Sequence, residues 1–124
     1  MYFLLVSLFL LGCTNSKNQT KTLLFIGGFT DKKLGKGIHV YDFDEVTGET
    51  NLAYFVVSIT NTSFLKLSSN GKFLYSVVDS QMKYHGKVAT FKVDVANSKI
   101  DLLNIQDCGG VNPAHLEIDK TGNY

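Results

Sequence analysis

Apolar and polar positions alternate in short runs along most of this chain, and the run from Thr62 to Asp79 shows the arrangement most fully. Phe64, Leu65 and Leu67 precede Ser68-Ser69-Asn70-Gly71, and Phe73, Leu74, Tyr75, Val77 and Val78 follow. Period-two patterning marks strands buried on one face. Asn-Gly between two such runs predicts an antiparallel hairpin, because both residues tolerate positive φ. The same patterning predicts strands from Thr22, over Ile38 to Phe43, Leu52 to Ile59, Lys87 to Val93 and Ile100 to Ile105, and around Leu116 and Ile118. Gly27-Gly28 in the first of these lets another backbone or a ligand come close. Asp31 to Gly37 is a polar, glycine-bearing loop; its Gly-Lys-Gly opens a strand instead of a helix, so it is a plain turn and not a phosphate cradle.

The pattern repeats. A shift of 50 residues brings Leu24 onto Leu74, Phe25 onto Tyr75, Ile38 onto Val88, Tyr41 onto Phe91, Asp44 onto Asp94 and Leu52 onto Leu102. With one residue inserted, the stretch from Phe64 to Phe73 falls on that from His115 to Tyr124. A period of this length containing only strand signals predicts an all-β β-propeller of four-stranded antiparallel blades, of which about two are present. The hairpin supplies the two inner strands of blade two, Lys87 to Val93 its third and Ile100 to Ile105 its fourth. Leu116 and Ile118 then open blade three. Blade one has no copy of the Thr62 to Ser68 strand ahead of Thr22; a closed ring takes that strand from its far C-terminus. The chain is therefore expected to be the N-terminal piece of a longer protein, association-prone by itself.

Composition narrows the partners. The net charge is +1 and the lysines are not gathered into a stripe, so nucleic acid is not an expected partner. His39 alternates with Ile38 and Val40 on a strand, and His85 falls in the loop Gln81 to Gly86; both read as structural or solvated. No His or Cys spacing matches a zinc site and no Ca²⁺ loop is present, so neither metal nor cofactor is expected.

The first 21 residues differ from the rest. Tyr2 to Gly12 is an apolar run of signal-peptide length, too short to span a bilayer of about 30 Å. Leu10-Leu11-Gly12-Cys13 resembles a bacterial lipobox, although no Lys or Arg precedes Cys13. This divides the chain into a signal peptide (1–12), a lipidated Cys13 with a polar tether (13–21) and a partial propeller domain (22–124). The expected location is the bacterial cell envelope, with the membrane as partner through the lipid anchor. The alternative for Cys13 is a buried thiol at the end of an ordinary cleaved signal. With Cys13 lipidated, Cys108 has no disulfide partner.

Phe25-Ile26-Gly27-Gly28-Phe29-Thr30, Gly37 to Asp44, Thr47-Gly48, Ser63-Phe64-Leu65, Asn70 to Tyr75 and Asn112-Pro113-Ala114-His115-Leu116 together resemble the lactonase family of seven-bladed β-propellers. This family includes propeller-type 6-phosphogluconolactonases and carboxy-muconate cyclases. The resemblance runs from about Thr22 to the end of the chain. It implies a hydrolase that opens a sugar lactone with water, with a pocket at the mouth of the central channel and a small lactone as substrate. Such a reaction needs a base for the water and a cationic or hydrogen-bonding group for the oxyanion. His115 stands at the family's Pro-x-His position and is the first candidate for a pocket residue and base; the other reading is a histidine hydrogen-bonded in the seam between blades. Asp79, at the end of the second inner strand, matches a position often acidic in relatives; its other reading is a strand-end turn residue. The family's pocket arginines fall in blades beyond these two, and all twelve basic residues here are lysine. An exported protein would not meet cytosolic phosphosugars. The competing function is a surface-tethered, non-catalytic propeller that binds carbohydrate or protein.

Overall fold

The computed structural model describes residues 20–30, 36–78 and 85–122. Strands β1 (Thr22–Gly27), β2 (Ile38–Phe43) and β3 (Thr50–Val56) form a three-stranded sheet in that order. Strands β4 (Leu65–Leu67), β5 (Phe73–Val78), β6 (His85–Asp94) and β7 (Lys99–Val111) form a four-stranded one. Every pairing is antiparallel and between sequence neighbours. Each sheet is thus a meander, the connectivity of a propeller blade.

The second sheet copies the first residue by residue. Leu24 faces Tyr41 across β1 and β2, and 50 positions on Leu74 faces Phe91 across β5 and β6. The register of β2 against β3 shifts between Val40 and Tyr41, and that of β6 against β7 between Thr90 and Phe91. Left-handed backbone recurs at matched places: Gly48 and Ser98 at φ 76° and 50°, Asn61 and Asn112 at 51° and 53°, Gly71 and Gly122 at 68° and 72°. The first pair is 50 residues apart and the other two 51, as the inserted residue requires. Bulges and positive φ each carry a local cost, so their recurrence marks a common design.

Several boundaries differ from the sequence reading. The hairpin turn is longer than a two-residue Asn-Gly turn, and only Gly71 takes positive φ. Asn70 stays out of that region, and its Oδ1 accepts the Ser68 hydroxyl at 2.8 Å and the Lys72 N–H at 3.0 Å. Strand β3 stops at Val56, because the chain then turns through Asn61 to reach the next blade. Strand β7 runs past Ile105 to Val111, drawing Cys108 into the sheet, and His85 opens β6 instead of lying in a loop. Leu116 and Ile118 belong to no strand among the described residues: residues 112–119 run beside β4 without a ladder of hydrogen bonds, which is what defines a strand.

The core lies between the two sheets. Ile38 and Val40 of β2, with Val56 and Ile59, meet Leu74, Val78, Ala89, Phe91 and Ile100, and Leu23, Phe25, Leu65 and Val93 pack around them. Full burial of side chains such as Ile38 and Phe91 contributes about 1.5–3 kcal/mol each.

A polar seam closes the top of this core. The Thr62 N–H donates to the Gly28 carbonyl at 3.0 Å, and the Thr62 hydroxyl accepts the Gly28 N–H at 3.2 Å while donating to the Gly37 carbonyl. Beside it, Thr30 N–H donates to Asn61 Oδ1 at 3.1 Å and Asn61 N–H to the Thr30 hydroxyl at 3.4 Å. The close backbone approach expected at Gly27-Gly28 is this one: a Cβ on Gly27 would run into the Thr62 carbonyl, whereas one on Gly28 would meet nothing within 4 Å. Gly27→Ala is therefore expected to destabilise the fold by about 1–3 kcal/mol, the range for forcing extra volume into a packed site. Gly28→Ala is expected to leave the urea midpoint nearly unchanged; equal midpoints for the two variants would show that the seam is not so tight.

Candidate functional site

The end of the blades where β1 and β5 finish and β2 and β6 begin carries the seam, the crossing after Val56 and the segment 112–115. Asn112 turns the chain with φ 53°, and Pro113 packs onto Gly86 so closely that a Cβ there would overlap its ring. The backbone ahead of His115 is fixed by these two residues. His115 itself is exposed, with its ring edge-on to Phe64 at 4.4 Å between centroids. It makes no hydrogen bond to a described residue.

Two residues on, on the same side of an extended segment, Glu117 Oε1 lies 2.8 Å from Lys66 Nζ. The Lys66 ammonium hydrogen-bonded to Glu117, helped by the Ile118 backbone N–H, holds its carboxyl below the usual glutamate value. Phe64 and Lys66 of blade two and His115 and Glu117 after it thus form one rim of matched positions. His115 presents an exposed imidazole on a backbone held by the Asn112-Pro113 turn before it and the Glu117–Lys66 pair after it. Asp79 and Cys13 lie outside the described residues.

The other candidates are elsewhere. The His39 ring lies 6.3 Å from that of Tyr41 and 6.4 Å from that of Phe55, and Lys36 Nζ stands 4.3 Å above the Phe55 ring. His85 is exposed opposite Val111 in the β6–β7 ladder. Cys108 is a free, exposed thiol. Among the described residues no cluster of His, Cys, Asp and Glu is placed to hold a metal ion, and no helix is long and apolar enough to cross a membrane.

At the opposite end of the strands a cleft of about 760 Å³ is lined by Lys21, Thr22, Asp42, Glu45, Val46 and Asn51, among others. It is wide of His115 and built around a structural link: the Ser98 hydroxyl donates to Asp42, and Lys21 Nζ lies 3.4 Å from the same carboxylate. The Ser98 hydrogen bond, with Lys21 adding a smaller effect, holds the Asp42 carboxyl below its ordinary value. Sequence reasoning missed this link and the Asn61-Thr62 seam, since both join residues far apart in the chain. The glycines at 27 and 28 were the available signal for the second.

Comparison with known proteins agrees with this architecture. Residues 23–124 match the family model "Lactonase, 7-bladed beta-propeller". The chain belongs to this lactonase family. It is 58% identical over 101 residues to a 6-phosphogluconolactonase of Formosa agariphila, covering 82% of this chain and 29% of that protein. A 6-phosphogluconolactonase of Bacillus subtilis is 23% identical over 106 residues, covering 86% and 30%. Among solved structures, a candidate 6-phosphogluconolactonase of Bacteroides fragilis superposes with a TM-score of 0.71 at 30% identity, over 84% of this chain and 28% of that one. A second, from Bacteroides uniformis, gives 0.69 at 25% identity, over 77% and 27%. The chain thus spans about three-tenths of the length of these relatives.

The depressed Asp42 and Glu117 carboxyls set a pH dependence. A carboxyl whose folded pKa is lowered stabilises the fold above its unfolded pKa, and the contribution is lost as pH falls through the folded value. The thermal midpoint is expected to fall on acidification below about pH 4. In Ser98→Ala the Asp42 carboxyl, followed by NMR titration, is expected to rise toward the ordinary aspartate value; an unmoved titration would remove Ser98 as the cause.

Proposed function

We propose that the complete protein opens a lactone ring with water, as a 6-phosphogluconolactonase-like hydrolase, with His115 as a pocket residue. The observation that carries this reading is an exposed His115 on a fixed backbone, in a chain 58% identical to a 6-phosphogluconolactonase over 101 residues. In this reading His115 takes a proton from water as the oxygen attacks the lactone carbonyl carbon. The tetrahedral oxyanion then collapses, the ring C–O bond breaks, and the proton passes to the departing alkoxide. All twelve basic residues of this chain are lysine, so an arginine for the oxyanion would have to come from other blades. Asp79 enters this reading only through the resemblance, as a residue at a position often acidic in relatives.

The full-length protein assayed on gluconolactones tests the reading. His115→Ala and His115→Gln are each expected to lower kcat by about 10²-fold or more, the usual contribution of a general base. Wild-type activity retained by both variants removes His115 from the chemistry. A folded wild type that binds sugars without hydrolysing lactones supports the non-catalytic binding propeller instead.

We further propose that Cys13 carries a thioether-linked lipid that anchors the protein to the bacterial envelope, with Thr14 to Lys21 as the tether. The support is the order of an apolar run, Gly12, Cys13 and a polar stretch. More than one acyl chain is needed for stable anchorage, at about 0.8 kcal/mol per buried CH₂. Fatty-acid labelling of the full-length protein in a bacterial host is expected to mark the wild type and not Cys13→Ala, which should also leave the membrane fraction. Label retained by Cys13→Ala would remove the anchor assignment.

A further inference from the structure

Four side chains from two consecutive repeats meet in a two-by-two patch at the rim. Phe64 and Lys66 stand two apart along the β4 segment, and His115 and Glu117 stand two apart on the segment 51 positions on. The contacts run straight across, with 4.4 Å between the Phe64 and His115 ring centroids and 2.8 Å between Lys66 Nζ and Glu117 Oε1. The imidazole rests on an apolar ring, and a pair of opposite charges lies two residues on.

We propose that the Lys66–Glu117 pair sets the charge state of the His115 imidazole, each member of the pair offsetting the other. Neither side chain is assigned a contact with substrate; both act through the histidine. The effect on the imidazole follows from geometry alone, and the effect on catalysis rests on the reading of His115 as the base. A base that takes a proton from water must be neutral beforehand. A carboxylate beside it, left unopposed, keeps a proton on the ring, and an unopposed ammonium drives the proton off and makes the ring a weaker base. Bound to each other, the two leave the imidazole close to neither extreme.

Distance and surroundings support this. Residues two apart in an extended segment are separated by about 7 Å, inside the screening length of about 8–10 Å in physiological salt. His115 has no hydrogen-bond partner among the described residues, so nearby charges are what act on it there. The coupling is visible from the other side as well: the Lys66 hydrogen bond holds the Glu117 carboxyl below its ordinary value, and the charge of His115 adds a smaller lowering. Of the elements beside His115, β4 brings Lys66 and its own segment Glu117. The β6–β7 ladder, reached through Pro113 and Gly86, brings His85, Cys108, and Lys87 opposite Asp107. Lys87 and Asp107 are already matched in charge. What other blades add leaves the signs unchanged, because each variant is compared with the wild type.

NMR titration of the full-length protein, labelled at histidine and with His115→Gln assigning the resonance, tests the proposal. Lys66→Met leaves the carboxylate unopposed and is expected to move the His115 titration to higher pH. Glu117→Gln leaves the ammonium unopposed and is expected to move it to lower pH. The double variant and Lys66→Arg, which keeps the pair, are expected to titrate close to the wild type. Lys72→Met, removing an exposed cation at the start of β5 and so at the other end of the blade, is expected to leave the titration in place. An exposed ion pair adds little to stability, so all these variants are expected to change the thermal midpoint only slightly. With gluconolactone the acidic limb of kcat/KM is expected to follow the NMR, the two single variants differing about threefold or more at one pH on that limb. A His115 titration unmoved by both single variants, or moved the same way by both, overturns the proposal. Opposite NMR shifts with an unmoved kinetic limb uphold the effect of the pair and remove His115 as the base, so the two readings fail separately.

Discussion

Two sheets that share one core must still satisfy the backbone where the chain crosses from one to the other, and here that demand falls on Thr62. Its N–H and hydroxyl bind Gly28 and Gly37 from the far side of the interface, where no water reaches a side chain that is fully buried. A buried donor or acceptor left unmade costs about 1–3 kcal/mol. The absence of a side chain at Gly27 is what allows the approach. Without that clearance the second blade seats less closely on the first, and the apolar contacts of Ile38 and Val40 with Leu74 and Phe91 are weakened with it.

The same crossing recurs one blade on, where it positions the candidate base. Asn112 repeats the left-handed turn of Asn61, and Pro113 takes the place of Thr62, packing on Gly86 instead of hydrogen-bonding. The histidine then occupies the position of Phe64, against whose ring it rests. The same turn at both described crossings thus delivers a side chain to one rim, Phe64 after the first and His115 after the second. Site and scaffold are coupled through the repeat, although function is set by the side chain and not by the architecture.

The repeat also bears on the three described strands of blade one. A four-stranded blade here takes its innermost strand from the chain just before it, and ahead of β1 the described residues contain no such strand. The consequence is an edge whose neighbours in blade two are buried and whose own side chains are not. Such edges invite pairing.

Much of this was legible in the chain itself. Period-two alternation placed the seven strands of the described residues, and one more at Leu116 and Ile118 that is not a strand there, because a strand half buried in a sheet shows its burial in local order. Self-similarity at 50 residues foretold the shared register down to Leu24 and Leu74, since equivalent hairpins obey equivalent sterics. Positive φ at Gly71 was readable for the same local reason. What only the tertiary structure decided were the contacts between residues remote in sequence: Thr62 with Gly28, Ser98 with Asp42, Lys66 with Glu117 and Phe64 with His115. Strand ends were decided there too, β7 continuing to Val111 because β6 continues to pair with it, and 115–118 forming no ladder with a described strand. Periodicity records which face of a residue is buried; it carries no record of what buries it, because that is set by chain crossing and packing over distances no local pattern spans.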